Sequence, residues 1–118
     1  MAIGSKRLVV GAHYGLRSWL AQRVTAAVMI VYAIVLLGLW VAARVHDYDA
    51  WAGIFAPLPM KIATLLAFAA LGYHAWVGVR DIWMDYVKPV GVRLALHLAT
   101  ILALGAFAAW AVQILWRV

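Results

Sequence analysis

The fold is decided by residues 62–89, which read IATLLAFAALGYHAWVGVRDIWMDYVKP. The first 18 of these residues, 62–79, carry no charged side chain, yet they include His74. A helix of about 20 apolar residues crosses the ~30 Å hydrocarbon core of a bilayer, so this run predicts a membrane span. A histidine is costly inside a bilayer and marks a functional site by default. His74 is therefore the first candidate functional residue.

Two further charge-free runs lie on either side of this stretch, at 24–43 with 20 residues and at 94–116 with 23 residues. Extended to flanking apolar and snorkelling residues, the three spans are predicted at about 24–45, 60–80 and 92–116. The chain is 69% hydrophobic and only 12% charged, which is too apolar for a soluble domain of 118 residues. We expect an all-α membrane protein, a single domain over 1–118 with three transmembrane helices and a short N-terminal cytoplasmic segment.

The positive charges predict the orientation of these spans. The net charge of +6 could indicate nucleic-acid binding, but on so apolar a chain the basic residues are better interpreted as flanks of the spans, with no nucleic acid as partner. Seven of the ten Lys and Arg residues fall in the N-terminal segment and the loop after the second span, and three fall on the opposite side. This asymmetry predicts a cytoplasmic N-terminus and a periplasmic C-terminus.

Two other features complete this outline of the chain. There is no cysteine, so the chain itself supplies no disulfide, iron–sulfur ligand or thiolate nucleophile. The first loop, residues 46–59, reads HDYDAWAGIFAPLP, and its aspartates and prolines predict a short exposed turn.

The third span indicates a larger assembly. Ala95, Ala99 and Ala103 repeat every four residues, a spacing that lets helices approach closely in lipid. The chain is therefore expected to form part of a larger helical bundle. His97 lies near the start of this span and is interpreted as an interfacial histidine bonded to a backbone carbonyl.

The neighbours of His74 leave two interpretations open. Ala70 and Gly78 lie one helical turn before and after it on the same face, which leaves room for a flat, bulky group. Haem would fit such a gap, because a neutral imidazole is a good axial ligand for its iron. The other interpretation is a histidine that donates to a carbonyl across the bundle.

The polar residues that follow this span fall at the membrane surface. Lys88-Pro89 predicts the end of the helix, because the residue before a proline avoids the α region. By their positions alone, Asp85 is a surface carboxylate paired with Lys88 or Arg80, and Tyr86 is an interfacial aromatic.

Two patterns in the sequence carry a resemblance to a known family. The first is His-x3-Gly-x6-Asp-Tyr-Val-Lys-Pro over residues 74–89, on the second of three spans. The second is Arg-Val-Thr-Ala over residues 23–26, at the start of the first span. Together with the length and topology, they resemble the smaller, D-type hydrophobic anchor subunit of succinate dehydrogenase (respiratory Complex II). The resemblance covers the chain from about residue 11 to its end.

This resemblance implies a four-subunit enzyme in a bacterial inner membrane. In the family a flavoprotein with FAD oxidises succinate, an iron–sulfur subunit carries the electrons, and two anchors bind haem b and reduce ubiquinone. By the matched positions, His74 would be one axial ligand of the haem iron, and the second anchor would supply the other histidine. Tyr86 would donate a hydrogen bond to a quinone carbonyl and Asp85 would orient the polar groups of that site, with Asp81 as a competitor for this role. Arg23 would lie near the haem propionates.

Two functions of other classes fit the sequence less well. A small multidrug exporter needs a titratable acid inside its bundle, whereas the four acids of this chain all lie outside the predicted spans. A purely structural membrane tether is compatible with the composition, but it would leave His74 without a role.

Overall fold

The computed structural model describes the backbone of residues 2–118 and the side chains of residues 15–118. The described chain forms four helices: α1 (Ala2–Ala42), α2 (Tyr48–Phe55), α3 (Leu58–Tyr86) and α4 (Val90–Arg117). Three segments, Gly15–Ala42, Leu58–Tyr86 and Val90–Arg117, are long and apolar enough to cross a membrane. The predicted class, an all-α protein with three candidate spans, is confirmed. The predicted N-terminal cytoplasmic segment falls largely on residues 1–14, outside the described side chains.

The short exposed turn predicted between the first two spans is wrong, because this region contains α2. Asp47 caps the helix, its Oδ1 accepting a hydrogen bond from the backbone N–H of Ala50 at 2.8 Å. Such a cap satisfies an N–H group that has no partner within the helix. Ile54 of α2 is buried. The two prolines belong to the next helix: Pro57 is the N-cap of α3, and Pro59 lies in its first turn, where proline is tolerated.

The connection between α3 and α4 consists of residues 87–89. Val87 leaves the helical conformation with φ −102° and ψ 111°, and Pro89 is the N-cap of α4 with φ −64° and ψ 127°. Proline disfavours the α region in the residue before it, so Lys88-Pro89 ends α3 at the predicted place. So short a connection makes α3 and α4 antiparallel neighbours.

Helix α3 lies at the centre, in contact with both α1 and α4. Its buried side chains include Thr64, Ala70 and Val77. On its α4 side, the indole Nε1 of Trp83 donates a hydrogen bond to Thr100 Oγ1 at 2.9 Å. Most large apolar side chains of the described bundle instead point outward and are exposed. Faces this apolar must be covered by lipid or by other polypeptide.

Three polar contacts fix α1 against α3. They are Ser18 Oγ with Arg80 Nη2 at 3.5 Å, Thr25 Oγ1 with His74 Nδ1 at 3.0 Å, and Tyr32 Oη with Thr64 Oγ1 at 2.6 Å. The three α1 residues are spaced seven apart and so share one helix face. Their partners run backwards along α3, as in an antiparallel pair. This register places His74 opposite Thr25.

Candidate functional site

The imidazole of His74 is held at one nitrogen and open at the other. Its Nδ1 lies 3.0 Å from the hydroxyl oxygen of Thr25. Its Nε2 has no hydrogen-bond partner among residues 15–118, and it is not among the buried unpaired atoms of this part of the chain. The ring therefore bonds a hydroxyl across the bundle, rather than the carbonyl of the alternative interpretation, and leaves Nε2 accessible at the surface of the chain.

Of the two small residues one turn from His74, only Gly78 has open space beside it. A Cβ atom built on Gly78, one turn further along α3, would meet no atom of the described residues within 4 Å outside its chain neighbours and its own helix backbone. Ala70, one turn before His74, is only 9% exposed and packs inside the chain. The predicted gap is thus confined to the Gly78 side. An open imidazole nitrogen next to an unfilled glycine position fits a flat metal-bearing group such as haem.

In contrast to His74, His97 has its Nε2 buried inside the chain. Its ring meets that of Trp76 edge-on, with ring centroids 5.7 Å apart and an interplanar angle of 81°. Its Nε2 is buried and has no hydrogen-bond partner among the described residues, so the predicted bond to a backbone carbonyl is not made by this nitrogen. Its burial keeps this nitrogen from contact with a ligand outside the chain. His74, rather than His97, is the better candidate ligand.

The last turn of α3 presents two polar groups without partners among residues 15–118. Tyr86 is the final residue of the helix and is 79% exposed. Asp85 is also exposed and makes no ion pair within residues 15–118. Arg80 pairs instead with Asp81, with 3.3 Å between Nη2 and Oδ1. The predicted pairing of Asp85 with Lys88 or Arg80 is absent, and the competitor Asp81 is already engaged.

The two candidate sites lie at different heights on one helix. Eleven residues separate His74 from Asp85, which at 1.5 Å per residue places them about 16 Å apart along the axis. Arg23 lies on α1 two residues before Thr25, with its guanidinium carbon 5.1 Å from the centroid of the Trp19 ring. It is exposed, and because residues two apart on a helix do not face each other, it lies on a different face of α1 from Thr25.

Thr25 is the site residue that the sequence analysis missed. It occurs in the Arg-Val-Thr-Ala pattern, but no role was assigned to it. The available signal was the seven-residue spacing of Ser18, Thr25 and Tyr32, which puts polar side chains on one face of an otherwise apolar helix. A polar stripe in a span is expected to face another helix rather than lipid.

A cleft in the described bundle lies away from His74. It has a volume of about 660 Å³ and lies around the Tyr32–Thr64 contact, between α2 and the ends of the long helices. Its lining is apolar and aromatic and contains no His, Asp, Lys or Arg side chain from residues 15–118. The candidate functional side chains of α3 therefore lie outside this cleft.

Comparison with known proteins identifies the class that this fold and these residues define. The family of succinate dehydrogenase/fumarate reductase transmembrane subunits matches residues 2–114, nearly the whole chain. The chain belongs to this family, and it is a multi-pass membrane protein. It is similar to the succinate dehydrogenase hydrophobic membrane anchor subunit of Coxiella burnetii (strain RSA 493 / Nine Mile phase I), with 36% identity over 102 residues that cover 86% of this chain and 89% of the relative. The resemblance to a succinate dehydrogenase anchor is confirmed.

Proposed function

We propose that this anchor subunit binds one side of a b-type haem through His74 and contributes Tyr86 and Asp85 to a ubiquinone-reduction site. Its partners are a second hydrophobic anchor that supplies the other axial histidine, an iron–sulfur subunit, and a flavoprotein that carries FAD. The complex lies in a bacterial inner membrane, with the N-terminus of this chain in the cytoplasm. Family membership and the arrangement of side chains on α3 and α1 support this scheme.

The observation that carries the haem assignment is the open Nε2 of His74. A ligating histidine commonly bonds through its second nitrogen to a neighbouring group, which fixes the orientation of the ring. Thr25 supplies that neighbour at 3.0 Å, and Gly78 supplies space on the same face. Bound haem would add one-electron redox chemistry. The guanidinium of Arg23, two residues from Thr25, is suited to hold a propionate through charge-assisted hydrogen bonds.

The quinone assignment depends on the exposed end of α3. Reducing a quinone to a quinol consumes two electrons and two protons, so the site needs hydrogen-bond donors at the carbonyls and access to water. The phenol of Tyr86 donates without carrying a charge, and its 79% exposure leaves it free to meet a headgroup. The carboxylate of Asp85, next to it and unpaired within the described chain, can accept a hydrogen bond from water and so direct a proton toward the site.

Matched histidine variants of the intact complex test the haem assignment. In His74→Leu we expect the low-spin spectrum of bis-histidine haem to disappear or to become high-spin. In His97→Leu, which replaces a ring whose Nε2 is sealed inside the chain, we expect the wild-type spectrum. Both are measured as reduced-minus-oxidised optical spectra, normalised to the flavin content. An unchanged low-spin spectrum in His74→Leu would place the ligand elsewhere.

A further inference from the structure

The hydroxyl group of Thr25 has three possible hydrogen-bond partners but only one hydrogen. Its Oγ1 lies 2.8 Å from the carbonyl oxygen of Ala21, 3.2 Å from that of Gln22, and 3.0 Å from Nδ1 of His74. Threonine in a helix commonly donates to the carbonyl four residues earlier, which here is Ala21. A carbonyl oxygen can only accept, and the Ala21 contact is the shortest of the three.

This arrangement determines which nitrogen of His74 carries the proton. With its hydrogen directed to Ala21, the Thr25 oxygen can only accept from the ring, so the hydrogen of the neutral imidazole lies on Nδ1. The lone pair available for a metal then lies on Nε2, the nitrogen left accessible at the surface of the chain. We propose that Thr25 is a positioning residue that keeps His74 in its Nδ1–H form and orients Nε2 toward the haem iron. This inference rests on the haem role proposed above for His74.

The hydrogen bond from His74 Nδ1–H to Thr25 also makes Nε2 of His74 a stronger ligand for iron. A neighbour that accepts the second N–H of a histidine makes the other nitrogen a better electron donor, and loss of such a neighbour typically weakens metal binding 10- to 100-fold. A better donor stabilises oxidised iron relative to reduced iron. Removing the Thr25 hydroxyl should therefore release haem faster and raise its midpoint potential.

A comparison of Thr, Ser, Val and Ala at position 25 separates the effect of the hydroxyl group from the effect of side-chain size. Thr and Ser have a hydroxyl, Val has nearly the shape of Thr without it, and Ala lacks both the hydroxyl and the bulk. We expect the purified complex with Thr25→Ser to behave as wild type. We expect Thr25→Val and Thr25→Ala to transfer haem to apomyoglobin about 10- to 100-fold faster, with a raised midpoint potential. Tyr32→Phe is the packing control, because it removes another α1–α3 hydrogen bond, to Thr64, without touching His74.

The outcomes distinguish this inference from the proposed function. If His74→Leu keeps low-spin haem, the haem role itself is wrong. If His74→Leu loses it while Thr25→Val and Thr25→Ala match wild type in haem transfer and midpoint potential, only the role of Thr25 is refuted. The role of Thr25 would also be refuted if the haem-transfer rates and midpoint potentials followed side-chain size, or if they changed equally in Tyr32→Phe. Failure of both hydroxyl-free variants to assemble, while His74→Leu assembles, would assign the hydroxyl to packing and overturn the proposal.

Discussion

Replacing Tyr86 with Phe removes a hydroxyl that makes no hydrogen bond within residues 15–118, at a position 79% exposed. No internal bond is lost, so subunit assembly and the haem spectrum should not change. At a quinone, the same change leaves a carbonyl without its donor. An unmet hydrogen bond in a buried site costs about 1–3 kcal/mol, which corresponds to a roughly 5- to 150-fold loss of quinone turnover.

The assay compares two electron acceptors in one preparation of the complex. Succinate-dependent ubiquinone reduction should fall in Tyr86→Phe, whereas reduction of an artificial dye that accepts electrons upstream of the anchors should stay at the wild-type rate. Tyr48→Phe is the matched control, because Tyr48 is 71% exposed and lies at the start of α2, near the other end of the 29-residue α3. Wild-type quinone turnover in Tyr86→Phe would show that Tyr86 is only an interfacial aromatic.

Two further predictions concern the neighbouring carboxylates and the topology. Asp85→Asn should lower quinone turnover by about 10- to 150-fold, since hydrogen bonds to charged groups are worth ~1.5–3 kcal/mol. Asp81→Asn should leave quinone turnover unchanged, because Asp81 is engaged with Arg80. Equal rates in the two variants would contradict this assignment. Reporter fusions at Val118 and within residues 87–89 should report opposite sides of the membrane, because the 28-residue α4 between them is about 42 Å long. Reporters on the same side would rule out the three-span topology.

The main helices were predictable because lipid leaves the backbone few options. Without water to bond its N–H and C=O groups, a chain in hydrocarbon must satisfy them within each segment, so three long charge-free runs predict three helices. The short α2 was missed because its signals are ambiguous. An aspartate such as Asp47 caps a helix as readily as it starts a turn, and prolines such as Pro57 and Pro59 mark both loops and helix starts.

The sequence singles out the candidate site residues, but not the contacts of their atoms. His74 stood out as a polar residue in an apolar run, whereas Asp85 and Tyr86 became candidates only through the resemblance to the family. Which nitrogen of His74 is open depends on Thr25, which is 49 residues away in the sequence. That contact is set by the register of α1 against α3, and the register follows from packing of whole helix faces rather than from any local pattern.

Three polar groups of α3 that lack partners inside the described chain constrain whatever covers this helix. His74 Nε2, the Asp85 carboxylate and the Tyr86 hydroxyl are all left accessible, although the helix faces around them are largely apolar. Covering such a group with apolar surface alone would cost about 1–3 kcal/mol each, and more for the charged carboxylate. Contact of these groups with lipid tails is therefore disfavoured, whereas Asp85 and Tyr86, at the membrane surface, can also meet water. A haem and a quinone headgroup satisfy the requirement, because one offers an iron for the imidazole and the other offers carbonyl oxygens for the phenol.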